Sequence, residues 1–477
     1  MKIKFFATLL LVFSFLVPTA GGRIKCDDYK DVRIKKFPLA VQCWSFRKFS
    51  FFETLDKVNE LGIKYLEAYP GQVLSKDMPD VKFNENLSDE LIRLVKKKLR
   101  EHNIKLVNYG VVGFKNTEES MRKVFDFARK LGIRTIVTEP QFEDFDLLER
   151  MVRKYNIKIA IHNHPEPSKY AHPETVLEHV KGRDLRIGAC GDTGHWMRSK
   201  VKPLDAIKLL KGRLISFHLK DLNVFGDKEN AYDVPYGKGA ANIRDILAEL
   251  TKQNFHGFLS IEYENQKEVE NPVPSIKKGI EYIKSITYYQ DYEEILKWNE
   301  YEGYTKAGWN HYGPGYFELD RKTGVLKSHG GMGLLWYSRK KYKNFILELD
   351  YKVDRVTSNS GIFLRVPDVP TSDDYIHHCL EVQVYDCGKG IHKTGALYDG
   401  EPPKVNAFKE PGEWNHIKIT VIGNHYRVEL NGVLVNDWDA EPRGKVKDLP
   451  DEGYVGVQNH DWSSSVYYRN IFIKELK

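Results

Sequence analysis

Cysteine is scarce in this chain, with five in 477 residues. The small and odd number argues against a disulfide framework. No two cysteines have the CxxC spacing of a structural zinc site. Cys379 and Cys387 are able to pair in an oxidising compartment, and the sequence leaves that question open. Lys/Arg runs interleaved with aromatic residues, which a nucleic-acid groove would need, are also missing. The formal net charge of +7 is spread along the chain, so we expect no nucleic-acid partner.

Long hydrophobic runs are missing except near the N-terminus. Lys2 and Lys4 precede the apolar run Phe5–Val17, and small residues follow it up to Gly22. This order is typical of a secretory signal peptide, and the run is short for crossing a bilayer. We therefore expect residues 1–22 to be a signal peptide, the protein to be exported to a bacterial periplasm, and the mature chain to have no stable membrane span. A retained membrane anchor is the alternative.

The length of the chain predicts two domains. Over residues 33–288, eight short apolar runs alternate with amphipathic helices, which predicts a (β/α)8 TIM barrel. An open doubly wound sheet is the alternative, but it would need a phosphate-binding glycine turn after the first strand, where the sequence reads WSFRKFSFF. The eight runs are 39–46, 65–70, 105–112, 135–140, 158–164, 186–190, 214–219 and 257–263.

The second half of the chain follows a different pattern. Residues 289–302 are polar and aromatic and are interpreted as a linker that is helical near 291–298. Beyond it, residues 303–477 alternate apolar and polar positions, and Asn431-Gly432 separates two such runs as in a type I′ hairpin. This domain is predicted to be a jelly-roll β-sandwich. One face of its most regular strand carries Phe345, Leu347, Leu349, Tyr351 and Val353.

Four side chains suited to a metal ion each end a different strand of the predicted barrel. They are Glu139, Asp192, His218 and Glu262. Because the C-terminal ends of barrel strands meet at one mouth, we expect them to converge there. Carboxylates with one imidazole suit a divalent cation such as Mn²⁺, Co²⁺, Mg²⁺ or Zn²⁺, whose identity the sequence leaves open.

Further polar residues are expected at the same mouth. His195 follows Asp192 by three residues and is able to reach inward beside it, while His162 and His164 lie on one side of their strand. His164 is interpreted as a base or a supporting partner and Lys220 as a positive charge for an oxyanion; a packed core histidine and a solvated lysine are the alternatives. Predicted substrate contacts in the barrel are His162, Gln42 and Glu67.

A divalent ion held by carboxylates suits removal of a proton next to a carbonyl group. If a leaving group lies β to that carbonyl, the same intermediate expels it. Otherwise, reprotonation gives isomerisation or epimerisation.

Residues 39–285 resemble the xylose-isomerase-like barrels of the sugar phosphate isomerase/epimerase superfamily. The matching segments are TEP, IHNHP, GDTGH, HLKD, PYGKGAANI and SIEYE. The resemblance implies that the four ligands named above hold the metal, that Glu139 and Glu262 also act as acid and base, and that His195 contacts substrate. The endonuclease IV branch, which cleaves DNA with three zinc ions, needs histidines on the second and third strands. This sequence reads YLEAYP and VNYGVV there, without histidine, which argues against a three-zinc nuclease.

Residues 303–477 resemble the 3-keto-disaccharide hydrolase domain, a concanavalin-like sandwich. The matching segments are SNSGIFLRV, EVQVYD, KTGALYDGEPP, EWNHIKITVIGN, GYVGVQNH and YRNIFIKEL. Polar residues within these segments are expected to line a sugar site, with a purely structural role as the alternative. They are Arg365, Glu381, Gln383, Asp386, Tyr398, Gln458, His460 and Arg469.

Together the two resemblances imply an enzyme that cleaves 3-keto-glycosides. The barrel would remove the C2 proton and expel the aglycone, and the sandwich would add water to the resulting glycal or cleave the glycoside itself. Fusion of the two domains favours direct transfer of the intermediate. The alternatives are a sugar epimerase or isomerase with a carbohydrate-binding C-terminal module, and a non-catalytic sugar-binding protein. The oligomeric state stays open.

Overall fold

The computed structural model describes Tyr29, residues 32–299 and residues 301–477. The predicted signal peptide lies outside the described residues. Within the described part of the chain, no helix combines the length and the apolar character needed to cross a membrane. Cys379 is buried and Cys387 is exposed, and both are free thiols, so the structure contains no disulfide between them.

The first domain is a closed barrel of eight parallel strands, which confirms the predicted (β/α)8 fold. The strands of this half are β1 (Leu39–Gln42), β2 (Tyr65–Ala68), β3 (Gln72–Ser75), β4 (Met78–Phe83), β5 (Lys105–Val112), β6 (Thr135–Thr138), β7 (Lys158–His162), β8 (Ile187–Asp192), β9 (Leu214–Leu219) and β10 (Leu259–Ile261). The order around the barrel is β1-β10-β9-β8-β7-β6-β5-β2, and β3 and β4 form a separate hairpin. Each predicted run supplies one barrel strand, because strands covered on both faces have nearly continuous apolar sequences.

Helices cover the outside of the barrel. They are α1 (Phe51–Glu60), α2 (Asp89–Glu101), α3 (Glu118–Leu131), α4 (Phe145–Tyr155), α5 (Pro173–Val180), α6 (Thr193–Arg198), α7 (Pro203–Leu209), α8 (Ile243–Lys252) and α9 (Val273–Ile286). In α3, the Thr117 side chain accepts the Ser120 N–H and caps the helix, while Gly132 ends it in the left-handed conformation with φ 78°. Local capping and one buried apolar stripe therefore define this helix.

The second domain is a sandwich of antiparallel sheets. Its strands are β11 (Glu293–Glu294), β12 (Trp298–Asn299), β13 (Gly303–Tyr304), β14 (Trp309–Tyr312), β15 (Tyr316–Asp320), β16 (Val325–His329), β17 (Gly333–Tyr342), β18 (Phe345–Val353), β19 (Asn359–Val366), β20 (Leu380–Tyr385), β21 (Asn415–Ile422), β22 (His425–Leu430), β23 (Val433–Asp439), β24 (Gly453–Asn459) and β25 (Val466–Glu475). The larger sheet has the order β15-β16-β25-β18-β21-β22-β23 with β11 beside β25, and the smaller has the order β14-β17-β24-β19-β20. The predicted all-β second domain is confirmed.

Two local predictions in this domain have different outcomes. The alternating face of β18 is buried as expected, and Asn431 and Gly432 have φ of 53° and 83° between β22 and β23, as a type I′ turn requires. The helix expected near residues 291–298 is wrong. This segment forms the short strands β11 and β12, because pairing with β25 and β13 satisfies its backbone. The predicted domain limits at 288 and 303 stay a proposal.

The sandwich packs against the N-terminal ends of the barrel strands, the floor of the barrel. Glu348 of β18 is fully buried there and accepts hydrogen bonds from Arg33 at 3.2 Å, Tyr288 at 3.0 Å and Tyr292 at 2.7 Å. On another part of the floor, His256 stacks on Trp298 with ring centroids 4.3 Å apart. The contacts come from the outer face of the larger sheet, so the smaller sheet is directed away from the barrel.

Candidate functional site

The predicted metal ligands occupy the C-terminal ends of four barrel strands. Asp192 ends β8 and His218 lies near the end of β9, while Glu139 and Glu262 directly follow β6 and β10. Ligand atoms of Asp192, His218 and Glu262 lie within 4.8 Å of one another. Three of the four predicted ligands therefore share one cluster.

Four buried atoms at this cluster have no hydrogen-bond partner in the described part of the chain. They are His162 Nε2, Asp192 Oδ2, His218 Nδ1 and Glu262 Oε2. His218 Nδ1 and Glu262 Oε2 are 3.0 Å apart, yet neither has acceptable hydrogen-bond geometry. Asp192 Oδ2 and Glu262 Oε2 form ion pairs with Lys220, so of the four atoms only the two imidazole nitrogens lack both an ion pair with a cation and a hydrogen bond of acceptable geometry. Such a buried nitrogen costs about 1–3 kcal/mol unless a bound group satisfies it. A nitrogen and oxygen donor set of this kind fits a divalent cation.

Glu139 lies in a neighbouring cluster with two histidines. Its Oε1 is 3.0 Å from His162 Nδ1 and 2.5 Å from His164 Nδ1, and Ser168 donates to Oε2 at 3.0 Å. Burial raises the pKa of Glu139, but the hydrogen bonds from His162 and His164 outweigh it and hold the pKa well below its usual value. The His164 side chain is 50% exposed, so an ionised carboxylate orients an imidazole that is open to the mouth.

Lys220 provides a buried positive charge beside the ligands. Its Nζ is 2.9 Å from Asp192 Oδ2, 3.0 Å from Glu262 Oε2 and 2.6 Å from Glu264 Oε2. Burial lowers the pKa of Lys220, but these carboxylates outweigh it and keep the pKa well above its usual value. The ammonium is therefore a fixed cation and not a base.

His195 is a neutral imidazole at the same mouth. Asp192 caps α6 by accepting the His195 N–H at 2.7 Å, which brings the ring back over the cluster. Burial holds the pKa of His195 well below its usual value. Arg198 lies 3.0 Å from Nδ1 and Lys220 Nζ lies 3.4 Å from Nε2, so two cations flank the ring.

Glu67 and Gln42, which were predicted to contact substrate, are buried below the ligands and hydrogen-bond to the scaffold. Glu67 is fully buried and accepts hydrogen bonds from His218 at 2.7 Å, Ser260 at 2.5 Å, Asn108 at 3.0 Å and Gln42 at 3.2 Å. Because its carboxylate binds the Nε2–H of His218, it directs Nδ1 toward Asp192 and Glu262. Gln42 is 1% exposed.

Sequence reasoning missed three charged residues behind Lys220. Glu264 accepts from the Trp44 indole at 2.9 Å, and Arg198 lies 3.3 Å from Asp233. Burial raises the pKa of Asp233 to about 7. The one available signal was the second glutamate of SIEYE, which has the same side-chain orientation as Glu262 at a spacing of two residues.

A second candidate site lies on the outer face of the smaller sandwich sheet. It is a cavity of about 560 Å³. Five of the eight predicted sugar contacts line it: Glu381, Gln383, Tyr398, Gln458 and His460. The structure brings these residues together from β20, β24 and the loops beside them.

The other three predicted sugar contacts do not line this cavity, and each has partners elsewhere in the scaffold. Arg365 is 1% exposed and donates to the carbonyl oxygens of Lys343 and Gly423. Arg469 pairs with Asp350 at 3.1 Å on the larger sheet. Asp386 accepts the Thr394 hydroxyl at 2.6 Å and does not line the cavity.

The two candidate sites are at opposite ends of the molecule. The ligand cluster is at the barrel mouth, the larger sheet contacts the barrel floor, and the cavity is on the far side of the smaller sheet. The barrel height, the spacing between the sheets and the layer of contact side chains add to roughly 40 Å. Direct transfer of an intermediate between the sites of one chain is therefore not supported by the structure.

Comparisons with known proteins agree with both folds. Residues 55–286 match the model of the xylose isomerase-like TIM barrel, and residues 297–474 match that of the 3-keto-alpha-glucoside-1,2-lyase-like domain. An inosose dehydratase from Clostridium botulinum is 25% identical over 241 residues, which cover 40% of this chain and 80% of that protein.

Two solved structures from Parabacteroides distasonis each match one half. An uncharacterised protein is 33% identical and covers 52% of this chain and 98% of its own, with a TM-score of 0.44. A candidate glycosyl hydrolase is 27% identical and covers 39% of this chain and 99% of its own, with a TM-score of 0.33. The first domain thus matches the xylose isomerase-like TIM barrels and the second matches the 3-keto-alpha-glucoside-1,2-lyase-like domains, and together they show an enzyme of carbohydrate processing.

Proposed function

We propose that the barrel cleaves 3-keto-glycosides by removing the C2 proton and expelling the aglycone from C1, and that the sandwich adds water to the product. The observation that carries this proposal is the convergence of the Asp192, His218 and Glu262 ligand atoms within 4.8 Å of one another, beside an imidazole that is open to the mouth. The inosose dehydratases similar to the barrel support it, because a dehydratase also expels a leaving group by elimination.

Asp192, His218 and Glu262 would hold a divalent ion, with Glu139 at the edge of the set. When bound, the ion would polarise the 3-keto oxygen and so acidify the C2 proton. The metal stays unidentified among Mn²⁺, Co²⁺, Mg²⁺ and Zn²⁺. Glu67 keeps His218 in the tautomer that this role needs.

His164 takes the C2 proton on Nε2, since Glu139 accepts the hydrogen of Nδ1. The C–H electron pair first forms a C2=C3 bond and places negative charge on the ketone oxygen. When that charge returns to form the ketone again, the C1=C2 double bond forms and the C1–O bond breaks. The His164 imidazolium then gives its proton to the departing oxygen, which releases the aglycone as an alcohol. The Lys220 ammonium stabilises the negative charge that develops on the ketone oxygen.

The test is aglycone release from a 3-keto-glucoside by full-length protein, with deuterium incorporation at C2 followed in D₂O. His164→Asn and Glu139→Gln should each lower release by a factor of about 10²–10⁴, the range for general acid–base catalysis. His102→Gln is the matched control, because His102 forms a similar pair with Asp56 at 2.9 Å on the helical exterior. Release unchanged in both site variants would refute the proposal. Exchange at C2 without release would favour the epimerase alternative.

Export to a periplasm is also proposed, on the N-terminal sequence alone. The mature protein should then begin after residue 22. Mass spectrometry of the protein from a native-type bacterial host checks this, and retention of residues 1–22 would contradict it.

A further inference from the structure

A further cavity, of about 650 Å³, lies where the barrel floor meets the sandwich. Its lining residues come from the N-terminal ends of β1 and β2, the last turns of α9, the segment 287–294 and β25. This interdomain cavity is separate from the ligand cluster at the barrel mouth and from the cavity on the smaller sheet. Its volume is in the usual range for sites that bind small molecules, and such sites occur preferentially at domain interfaces.

The walls of the interdomain cavity are mostly apolar. Phe37 and Ile63 are buried on the barrel side, and Phe472 of β25 is buried on the sandwich side. Tyr289 stacks on Phe472 with ring centroids 4.0 Å apart, so part of the wall is itself a contact between the segment that joins the domains and the larger sheet. An occupant would therefore touch both domains and bury an apolar body between them.

Four lysines in the lining give the cavity a positive charge. Lys36, Lys64 and Lys284 are exposed, and none of them forms an ion pair or a side-chain hydrogen bond with a described residue. The fourth, Lys35, donates from Nζ to Asn254 Oδ1 at 2.9 Å, and this amide brings no negative charge. Burial lowers the pKa of Lys35 to about 8, so the ammonium is still charged at neutral pH, and a nearby anion would stabilise it.

A single acid opposes these lysines. Among the described residues that line the cavity, Glu294 is the one carboxylic acid, and the Tyr304 hydroxyl lies 3.4 Å from its Oε1. Burial raises the pKa of Glu294, which favours its neutral form. The lining therefore keeps a net positive charge, and a cleft of one charge sign attracts ligands of the opposite sign.

We propose that the interdomain cavity binds an amphipathic carboxylate, that is, one negative head group on an aliphatic or aromatic body. The lysines would hold the head group, and the apolar walls would hold the body. A phosphorylated sugar fits less well, because apolar walls would leave its hydroxyl groups without hydrogen bonds. The inference is independent of the proposed function, since the cavity contains none of the residues that act in it.

The occupant should also stabilise the contact between the domains. A ligand that touches both domains binds only while they are packed together, so it favours that arrangement by mass action. Saturating ligand should therefore raise the unfolding temperature of the full-length protein.

The probe is octanoate, titrated into the full-length protein in a calorimeter. Acetate carries the charge without the chain, and octanol carries the chain without the charge. Acetate should bind about 100-fold more weakly than octanoate, because it buries almost no apolar surface. Octanol should bind about 10-fold more weakly, because it loses the attraction to several lysines. Octanol that binds as tightly as octanoate would overturn the choice of an anion.

Variants of the rim lysines test whether the charge acts at this cavity. Replacing Lys36, Lys64 and Lys284 together by glutamine should weaken octanoate binding by about 10-fold. The matched control replaces the three consecutive lysines of α2, residues 96–98, by glutamine. It changes the net charge equally at residues that do not line the cavity, so octanoate binding should stay unchanged.

Gln290→Trp tests the cavity itself. Gln290 lines it and forms no side-chain hydrogen bond with a described residue, so the larger ring fills the space without removing a bond. This variant should lose octanoate binding and unfold at the temperature of the unaltered protein without ligand. Unchanged binding in both Gln290→Trp and the rim-lysine variant would overturn the inference. So would a failure of the unaltered protein to bind octanoate, or a crystal soak that shows another segment of the chain or a second copy in the cavity.

Discussion

Replacing Glu67 by glutamine should weaken metal binding without unfolding the barrel. All four partners of Glu67 donate to it, and His218 does so at 2.7 Å. In the variant, Ser260 is able to reverse its hydroxyl, and Asn108 is able to turn its amide round because Asn108 Oδ1 has no partner in the described part of the chain. The loss is then mainly the charge on one hydrogen bond, about 1–2 kcal/mol of stability.

The effect on the metal should be larger than the effect on stability. Removing the group that orients a metal-binding histidine typically lowers metal affinity by about 10–100-fold. Calorimetric titration of the full-length protein with Mn²⁺ measures this, with thermal unfolding as the check on folding. Ser260→Ala is the control, since it removes one donor to Glu67 but leaves the bond to His218. Affinity within twofold of the unaltered protein in Glu67→Gln would refute the reasoning, as would an equal loss in Ser260→Ala.

Three further predictions follow from the sandwich and its contact with the barrel. The folded protein holds a proton on Glu381 up to about pH 8, whereas an unfolded glutamate loses its proton near pH 4.5. Stability should therefore fall by about 1.4 kcal/mol per pH unit as the pH rises between these values. Glu381→Gln should abolish that pH dependence in denaturant titrations, and an unchanged slope of stability against pH would contradict the prediction. Glu348→Gln should lower stability by about 1–2 kcal/mol, because the amide still accepts a hydrogen bond from Arg33, whose side chain is 32% exposed, and loses only the charge on that bond. A calorimetric trace identical to that of the unaltered protein would count against it. A mixture of His164→Asn and His460→Asn proteins should restore net hydrolysis of a 3-keto-glucoside, since the sites exchange their intermediate through solvent; no free sugar from the mixture, with each partial step intact, would show that exchange to be wrong.

The barrel and its ligand-bearing strand ends were predictable because the signals are local. Covered strands have apolar sequences, helices such as α3 carry their own caps, and parallel topology brings strand ends together whatever the loops do. The same topology predicts the depth of a side chain below the mouth only to within one layer of side chains. Glu67 lies one layer deeper than expected, because its depth depends on the register between β2 and β9 across the barrel and not on its neighbours in sequence.

The sandwich site was harder to predict because the pattern of a β-strand does not identify which sheet it joins. Alternation correctly separated inward from outward residues, so Glu381 and Gln383 share a face. Arg469 also faces outward, but from β25 in the larger sheet, where it pairs with Asp350. Arg365 has φ 58° at an irregularity in β19, which turns its side chain away from the alternating pattern. The sheet that a strand joins and the position of an irregularity within it depend on distant residues, so a window of ten residues in the sequence does not predict them.

The measurement that tests the central claim most directly is turnover of a 3-keto-glucoside after exhaustive removal of metal by chelation. Aglycone release should fall to background in the stripped protein and return on addition of one equivalent of the native divalent ion, while hydration of added glycal by the sandwich continues throughout. Full release by protein that contains no metal would contradict the account.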